Sequence, residues 1–479
     1  MRRPGALRGP RPRAERAHRP HGPRRAGNAG DRADAVRALA IRSGEGDRMK
    51  LEMASFQVDD IVLGKRTRWS DATLEIDPRE LADLVKQDPY VAWADVQVAR
   101  PGDLTRIVRM RDIIQPKVKS QGEGATYPGI SGRPVDTVGQ GRTNRLTGMT
   151  IIPCADMPRL NADGSQIWGS TEGSGRREIN FIDMSGPGAV TPFAGTVNLC
   201  IVMEPEGQPY ADDWNRVIRS TLLKINDLLA GSTLGLDPPR VDTFDLDRHD
   251  DALPNVAFVP VLASGEHRFG PRTSLSTDVY GVGRLTQPWL LQPTEMLDGA
   301  VSGAYNENFT WPIMETLVPY MCSRHGIDFN FSGCIIVRSN WESQAEKQLM
   351  ANRAAQLAVD TGVTGAIVTT NVRGQRFLET ILTVQALERA GVNTILMTEE
   401  EDNENGTAPP LLVSAPEVTT VVSTGTGGVD ATFPPVERVI GMREPESQWY
   451  DEMPPIHGRY GVSHTHDYYG FGKQGYLDY

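Results

Sequence analysis

Two carboxylates open the chemical reading. Glu295 and Asp298 stand three residues apart in Pro293–Ala300 (PTEMLDGA), a spacing that places both on one helical face. Such a pair serves as general acid and base, or as charges of a helical first turn, and spacing alone does not choose. A second candidate lies at Cys322, just ahead of Arg324 and His325, two cations able to lower a thiol pKa when they are also close in space. Near the end of the chain, His464 and His466 share one side of an extended segment with Asp467 and His457 nearby. No HExxH or CxxC accompanies them, so the sequence assigns no metal site. The Gly-rich bend Ile182–Gly188 (IDMSGPG) offers either backbone amides for an anion or a structural turn. Thr424–Gly428 (TGTGG) lacks the GxGxxG spacing, and Pro434-Pro435 forbids an early helix behind it, so it reads as a turn. No GxSxG elbow and no Walker A sequence occurs, which removes serine-hydrolase and P-loop chemistry.

The elements that must position these groups follow from apolar spacing. Residues 49–148 alternate like strands, with one short helix expected at Pro78–Gln87 and a loop region punctuated by Gly122, Gly124, Gly129, Gly132, Gly139 and Gly141. Residues 149–300 contain the continuous apolar run Val197–Met203, the helical stripe Val217, Ile218, Leu222, Ile225, Leu229, and a second apolar run at Val256–Leu262. Residues 301–444 alternate strand and helix more plainly, with strands at Cys334–Val337, Ala366–Thr369 and Asn393–Met397. The expected fold class is therefore α/β. A β-rich N-terminal domain is followed by two α/β units with largely parallel, doubly wound sheets, and by a C-terminal tail at 445–479. Ligands of such sheets sit at the carboxyl ends of the strands, here near Arg338–Trp341, Thr370–Arg373 and Thr398–Glu400.

Composition narrows the function. The 479 residues are 39% hydrophobic and 23% charged, enough for sizeable cores in about three domains. No run approaches the roughly 18 apolar residues a membrane span requires. The net charge of −11 conceals an asymmetry: residues 1–48 hold thirteen arginines against five acids, a surplus of +8, which leaves −19 on the rest. An acidic body repels phosphate backbones, so neither a nucleic-acid nor a membrane partner is expected. The Arg-rich head has no apolar core of a secretory signal, and Met49 opens the patterned sequence. Residues 1–48 are therefore expected to be a disordered or non-native extension. Four widely separated cysteines without CxxC point to a reducing cytoplasm.

Eight segments in order carry a resemblance. They are Lys50–Phe56 (KLEMASF), Asp59–Thr67 (DDIVLGKRT), Val98–Gly102 (VARPG), Asp112–Lys119 (DIIQPKVK), Asp136–Arg142 (DTVGQGR), Ile182–Ala189 (IDMSGPGA), Pro293–Ala300 (PTEMLDGA) and Arg324–Phe331 (RHGIDFNF). Over roughly residues 49–440 the chain resembles the proprotein subunit of component B of the glycine/sarcosine/betaine reductases, relatives of D-proline reductase. The resemblance implies a precursor that cleaves itself at a cysteine shortly after the PTE-x-x-DGA segment. That cysteine becomes a pyruvoyl group, which condenses with a substrate amine so that a selenol or thiol of a companion subunit can split the C–N bond. This chain departs there: Val301-Ser302-Gly303-Ala304-Tyr305-Asn306 follows, and the next cysteine is Cys322. The pyruvoyl cofactor is therefore not expected. Ser302, the hydroxyl in register, is the alternative precursor, through an ester and β-elimination. Two readings stand. One is an oxidoreductase complex subunit working on a small amino-acid-like substrate with a thiol- or selenol-bearing companion, its pocket near Glu295, Asp298, Ser302 and His325. The other is a non-catalytic binding or scaffold subunit.

Overall fold

In the computed structural model, apolar spacing produces the longest helix among the described residues, Ala211–Gly231. It buries Trp214, Val217, Ile218, Leu222, Ile225 and Leu229 along one stripe and places Asp212 and Asp213 in its first turn, beside the positive end of the helix dipole. The structure describes residues 50–160, 166–168, 181–186, 191–263, 277–283, 285–303, 310, 317–339, 343–370, 377–400, 411–426 and 430–457. The Arg-rich head and the histidines His464 and His466 lie outside them. The expected short helix forms at Pro78–Val85, where the Asp77 carboxylate accepts the Arg79 N–H at 2.9 Å as an N-cap.

The apolar run becomes the strand Val197–Pro205, buried on both faces. It pairs antiparallel with Val91–Ala99 on one side and parallel with Met149–Ala155 on the other. A four-stranded sheet has the order Arg240–Asp245, Lys50–Gln57, Gly141–Thr147, Lys117–Gln121. Both sheets join strands from residues 49–148 to strands from residues 149–300, so the chain near residue 148 is no break in the hydrogen bonding. The described residues all belong to one compact unit.

The largest sheet has six strands, in the order Trp289–Leu291, Asn330–Ser339, Asn255–Ala263, Gly365–Thr370, Asn393–Glu400, Val421–Thr426. Its first pair is antiparallel and the other four pairings are parallel. The helices Gln344–Asp360 and Phe377–Arg389 cover one face. Ala351, Ala354 and Ala358 of the first, with Ile381, Val384 and Leu387 of the second, pack on Val259, Val261, Val337 and Val368. The other face, through Phe258, Leu262, Cys334 and Ile336, joins the main core. The α/β class holds, and the arrangement of its sheets differs from the expectation. The protein is mixed α/β with more strand than helix, built from several mixed sheets rather than from two doubly wound parallel ones. The physical reason is visible in the strand Val197–Pro205. A run buried on both faces fits a central strand of a parallel or a mixed sheet alike, and here its neighbours come from before it in the chain.

One small sheet ties the chain together at long range. Thr105–Val108 lies between Phe181–Asp183 and Arg438–Ile440. Its Arg106 is fully buried and donates to the Asp183 carboxylate from Nε and Nη2, at 3.2 and 3.1 Å. The same guanidinium donates to the carbonyls of Pro434, Trp449 and Asp451, and lies 5.6 Å from the centre of the Phe181 ring. Five donors in a fixed fork suit such a clamp, and the carbonyls spread the charge that burial would otherwise leave costly.

Candidate functional site

The segment Pro293–Leu297 forms a short helix, with Pro293 at its first turn and Asp298 ending it. Glu295 turns back on the N-terminus: its carboxylate accepts the Gln292 N–H at 2.6 Å and the Tyr280 hydroxyl at 2.5 Å. Burial holds the Glu295 carboxyl above the usual carboxylate range, and the charge of Asp298 adds to this. Asp298 itself is fully buried. Its Oδ1 accepts the Thr143 hydroxyl at 2.6 Å, while Oδ2 accepts the Gly139 N–H at 2.6 Å and faces Lys119 Nζ at 2.5 Å. The two acidic groups therefore have different tasks, one closing a helix end and one anchoring an ion pair.

The strand Lys117–Gln121 supplies two lysines to this cluster. Alternation puts Lys117 and Lys119 on one face. Lys117 Nζ donates to the Leu297 carbonyl at 2.8 Å and sits 5.4 Å from the centre of the Tyr127 ring. Two glycines let the chain segments of this cluster approach closely. Gly139 has φ +95° and a Cβ there would lie 2.7 Å from the Glu295 nitrogen; Gly299 has φ +92° and a Cβ would lie 2.5 Å from the Tyr127 ring.

Ser302 occupies the next strand, Val301–Ser302, opposite Asp278 of Asp278–Val279. Arg219, from the long helix, donates to Ser302 Oγ through Nη2 and to the Asp278 carboxylate through Nη1, both at 2.6 Å. Beyond Ser302 the chain is held by Thr310, whose hydroxyl meets the Gly303 N–H at 2.9 Å and the Asp112 carboxylate at 2.9 Å. The Thr310 and Ile113 amides also donate to Asp112. Complete burial nevertheless pushes the Asp112 carboxyl up to about 6, against these hydrogen bonds and the Arg219 charge. Asp112, Tyr127, Arg219, Ser302 and Thr310 line a cavity of about 10 Å³, the size of a single water.

The remaining expected residues lie elsewhere in the bonding pattern. His325 Nδ1 accepts the Phe331 N–H at 2.9 Å, burial lowers its pKa, and its titratable neighbours are Asp245, Arg248 and His249. No described hydrogen bond joins His325 to Glu295, Asp298 or Ser302. Cys322 is buried on the helix Leu317–Arg324, and burial pushes its thiol up, opposite to an activated cysteine. Asp183 of the Gly-rich bend pairs with Arg106 and accepts the Ser185 amide, while the rest of that bend from Pro187 lies outside the described residues. Among the described residues, no group of three or more His, Cys, Asp or Glu stands close enough to hold a metal ion. No described helix is long and apolar enough to cross a membrane.

Sequence reasoning missed Asp112, Lys117, Lys119, Arg219, Asp278, Tyr280 and Thr310 as members of the site. A signal was present for three of them: Asp112, Lys117 and Lys119 belong to the segment DIIQPKVK, where lysines two apart in a strand must share a face.

Known proteins give the same grouping. Residues 49–450 match the family described as glycine/sarcosine/betaine reductase component B subunits. The alpha subunit of component B of the sarcosine reductase complex from Peptoclostridium acidaminophilum is 29% identical over 415 residues, covering 82% of this chain and 90% of the relative. The component B alpha and beta subunits of the glycine reductase complex from Acetoanaerobium sticklandii are 28% identical over 407 residues, covering 82% and 89%. The component B alpha subunit of the betaine reductase complex from Peptoclostridium acidaminophilum is 27% identical over 415 residues, covering 83% and 88%. No solved structure matches the chain. The segments Asp112–Lys119, Asp136–Arg142 and Pro293–Ala300, far apart in sequence, meet at Asp298, and the match extends across all of them: the chain belongs to the family of glycine/sarcosine/betaine reductase component B subunits.

Proposed function

We propose that this chain serves a reductase complex that cleaves the C–N bond of a small amino-acid-like substrate together with a thiol- or selenol-bearing companion subunit, and that it does so as one unprocessed polypeptide. The observation that carries the reading is the convergence of three family segments on the buried Lys119–Asp298 pair, next to the strand that holds Ser302. Glu295, raised by burial and hydrogen-bonded to Tyr280, is the group suited to hold or release a proton there. The residues present do not fit a pyruvoyl group formed from cysteine. None occurs between Ala300 and Cys322, and Cys322 is a core thiol on a helix rather than a residue of the turn after Ala300. Ser302 does not replace it well, because its hydroxyl is held by Arg219, a cation that cannot act as a base.

A second reading, a non-catalytic binding or scaffold subunit, is favoured by a separate fact. Glu295, Asp298 and Ser302 are each already engaged by a partner within the fold.

One preparation tests both. The chain is expressed with the companion gene of its own host, weighed intact by mass spectrometry, and treated with hydrazine. Turnover is then measured with glycine, sarcosine and betaine. The expected result is a single full-mass polypeptide, inert to hydrazine, whose complex alone turns over substrate and loses that activity on Glu295→Gln. A complex that forms but turns over none of the three supports the scaffold reading. Two fragments joined at Val301–Ser302, the second with a hydrazine-reactive end, would restore the pyruvoyl mechanism with serine as its source.

A further inference from the structure

Among the described residues, six positions other than glycine have positive φ, and two of them are tyrosines. Both address the segment Pro293–Ala300. The Tyr127 N–H donates to the Asp298 carbonyl at 2.9 Å, and the Tyr280 N–H to the Ala300 carbonyl at 2.8 Å. Tyr280, at φ +51°, is the harder to account for. Val279 and Val282 bond each other in both directions, so Tyr280 and Gly281 are the central residues of a two-residue hairpin turn. Gly281 has φ +74°. Positive φ at both places is the mirror-image turn that favours Asn, Asp or Gly in the first of them. A bulky aromatic there is an outlier that only its surroundings can hold.

Those surroundings are specific. The turn packs on Gly129: a Cβ there would overlap the Tyr280 carbonyl, and a Cβ on Gly281 would overlap the Gly129 carbonyl. At the tip of the ring, the hydroxyl donates to Glu295 Oε1 at 2.5 Å, and the Val138 N–H lies 3.5 Å from it. Glu295 Oε2 accepts the Gln292 N–H from the start of its own helix. One carboxylate oxygen is thus fixed locally and the other from fifteen residues away, which removes the rotation a single anchor would leave. Packing alone does not call for this arrangement, since a ring without the hydroxyl fills the same space. The titratable groups facing Glu295 are Tyr280, Asp298 with its partner Lys119, and Cys334 of Asn330–Ser339. Burial raises the Glu295 carboxyl, the Tyr280 hydroxyl and the Gln292 amide act against burial, and Asp298 raises it further. Burial and Glu295 keep the Tyr280 hydroxyl protonated, so it stays the donor.

We propose that Tyr280 is the positioning residue of Glu295, a tyrosine held in a strained turn so that its hydroxyl fixes the carboxylate in one orientation. The inference rests on the reading of Glu295 as the proton-handling group, and adds the residue that governs when that group ionises. Tyr280 acts through Glu295 and not on the substrate. Without the hydroxyl, Oε1 loses this donor, and the carboxyl takes up its proton at higher pH.

Tyr280→Phe keeps the ring and the turn and removes only the hydroxyl. Stability in urea is measured between about pH 5 and pH 8 for the full chain as wild type, Tyr280→Phe, Glu295→Gln and the double variant. The difference between each background and its Glu295→Gln counterpart reports the Glu295 titration. The carboxyl is raised in the fold, so its ionised form costs stability, and wild type gains on Glu295→Gln as the pH falls. Tyr280→Phe should move that gain upward by about one pH unit, a roughly 10-fold tighter hold on the proton. 3-Fluorotyrosine incorporated at Tyr280, a more acidic phenol and a stronger donor, should move it downward, and it serves also where Tyr280→Phe does not fold. Titrations that coincide in wild type and either altered chain would overturn the proposal. In the assembled complex, the acid limb of kcat/KM should move in step with the titration. A merely structural tyrosine would lower the melting temperature and leave both profiles in place. A shifted titration in a wild-type complex that turns over no substrate removes the reductase reading and keeps the hold of Tyr280 on Glu295.

Discussion

Lys119→Met is the perturbation that probes the site most directly. It deletes the ammonium 2.5 Å from Asp298 Oδ2 and keeps the length of the side chain. Asp298 is fully buried and Lys119 nearly so, so water cannot take over the lost partner. The carboxylate keeps the Gly139 amide and the Thr143 hydroxyl, two neutral donors, at the same low dielectric. Removing one member of a buried pair costs about 3–5 kcal/mol. Asp298→Asn, which strands the lysine, should cost a similar amount. The double variant removes both charges and should recover a large part, leaving a coupling of about 2 kcal/mol or more. The assay is urea denaturation of the three variants and wild type, comparing midpoints at an unchanged slope. Single losses below about 1 kcal/mol, or a double variant whose loss is the sum of the singles, would refute the reasoning, because a pair that behaves additively is hydrated rather than sealed.

Two further outcomes follow from the same neighbourhood. Gly299→Ala must place a methyl 2.5 Å from the Tyr127 ring at φ +92°, so thermal melting should show a loss of about 1–3 kcal/mol, larger than Ala substitution at the open position Gly391. Asp112 has a carboxyl raised to about 6 in the fold, so the folded chain holds this proton more tightly than the unfolded chain does, and the group costs stability above pH 6 and progressively less toward pH 4. Wild type should therefore gain stability relative to Asp112→Asn when the pH falls from 7 to 5, and a difference that is flat with pH would show that the carboxyl titrates normally.

Much of the local structure was legible. The stripe of the helix Ala211–Gly231, the buried run Val197–Pro205 and the strand–helix alternation after Asn330 all follow from periodicities that a chain segment carries within itself. What periodicity does not contain is pairing. Nothing in Lys50–Gln57 says that its neighbours begin at Gly141 and end at Asp245, and nothing in the polar-looking KVKSQ says that both lysines face inward. The same limit governs the site. Glu295 was visible as a first-turn acid because its partner, the Gln292 amide, is three residues away. Asp298 meets a lysine from the other half of the protein, and Ser302 an arginine from the middle of a distant helix, so their roles rested on contacts that only the folded chain brings about.

The Arg106 clamp sets an order of events during synthesis. Its carboxylate partner, Asp183, is translated soon after it, but the Trp449 carbonyl comes 343 residues later. At bacterial or eukaryotic elongation rates that interval is on the order of 20–70 s. Through all of it the strand Thr105–Val108 lacks its Arg438–Ile440 neighbour, and a cation destined for the interior waits on a half-built surface. The small sheet around Thr105–Val108 therefore cannot close until residues 434–451 have been made, and a nascent chain stalled before residue 434 should stay open to protease there, where the finished protein is sealed.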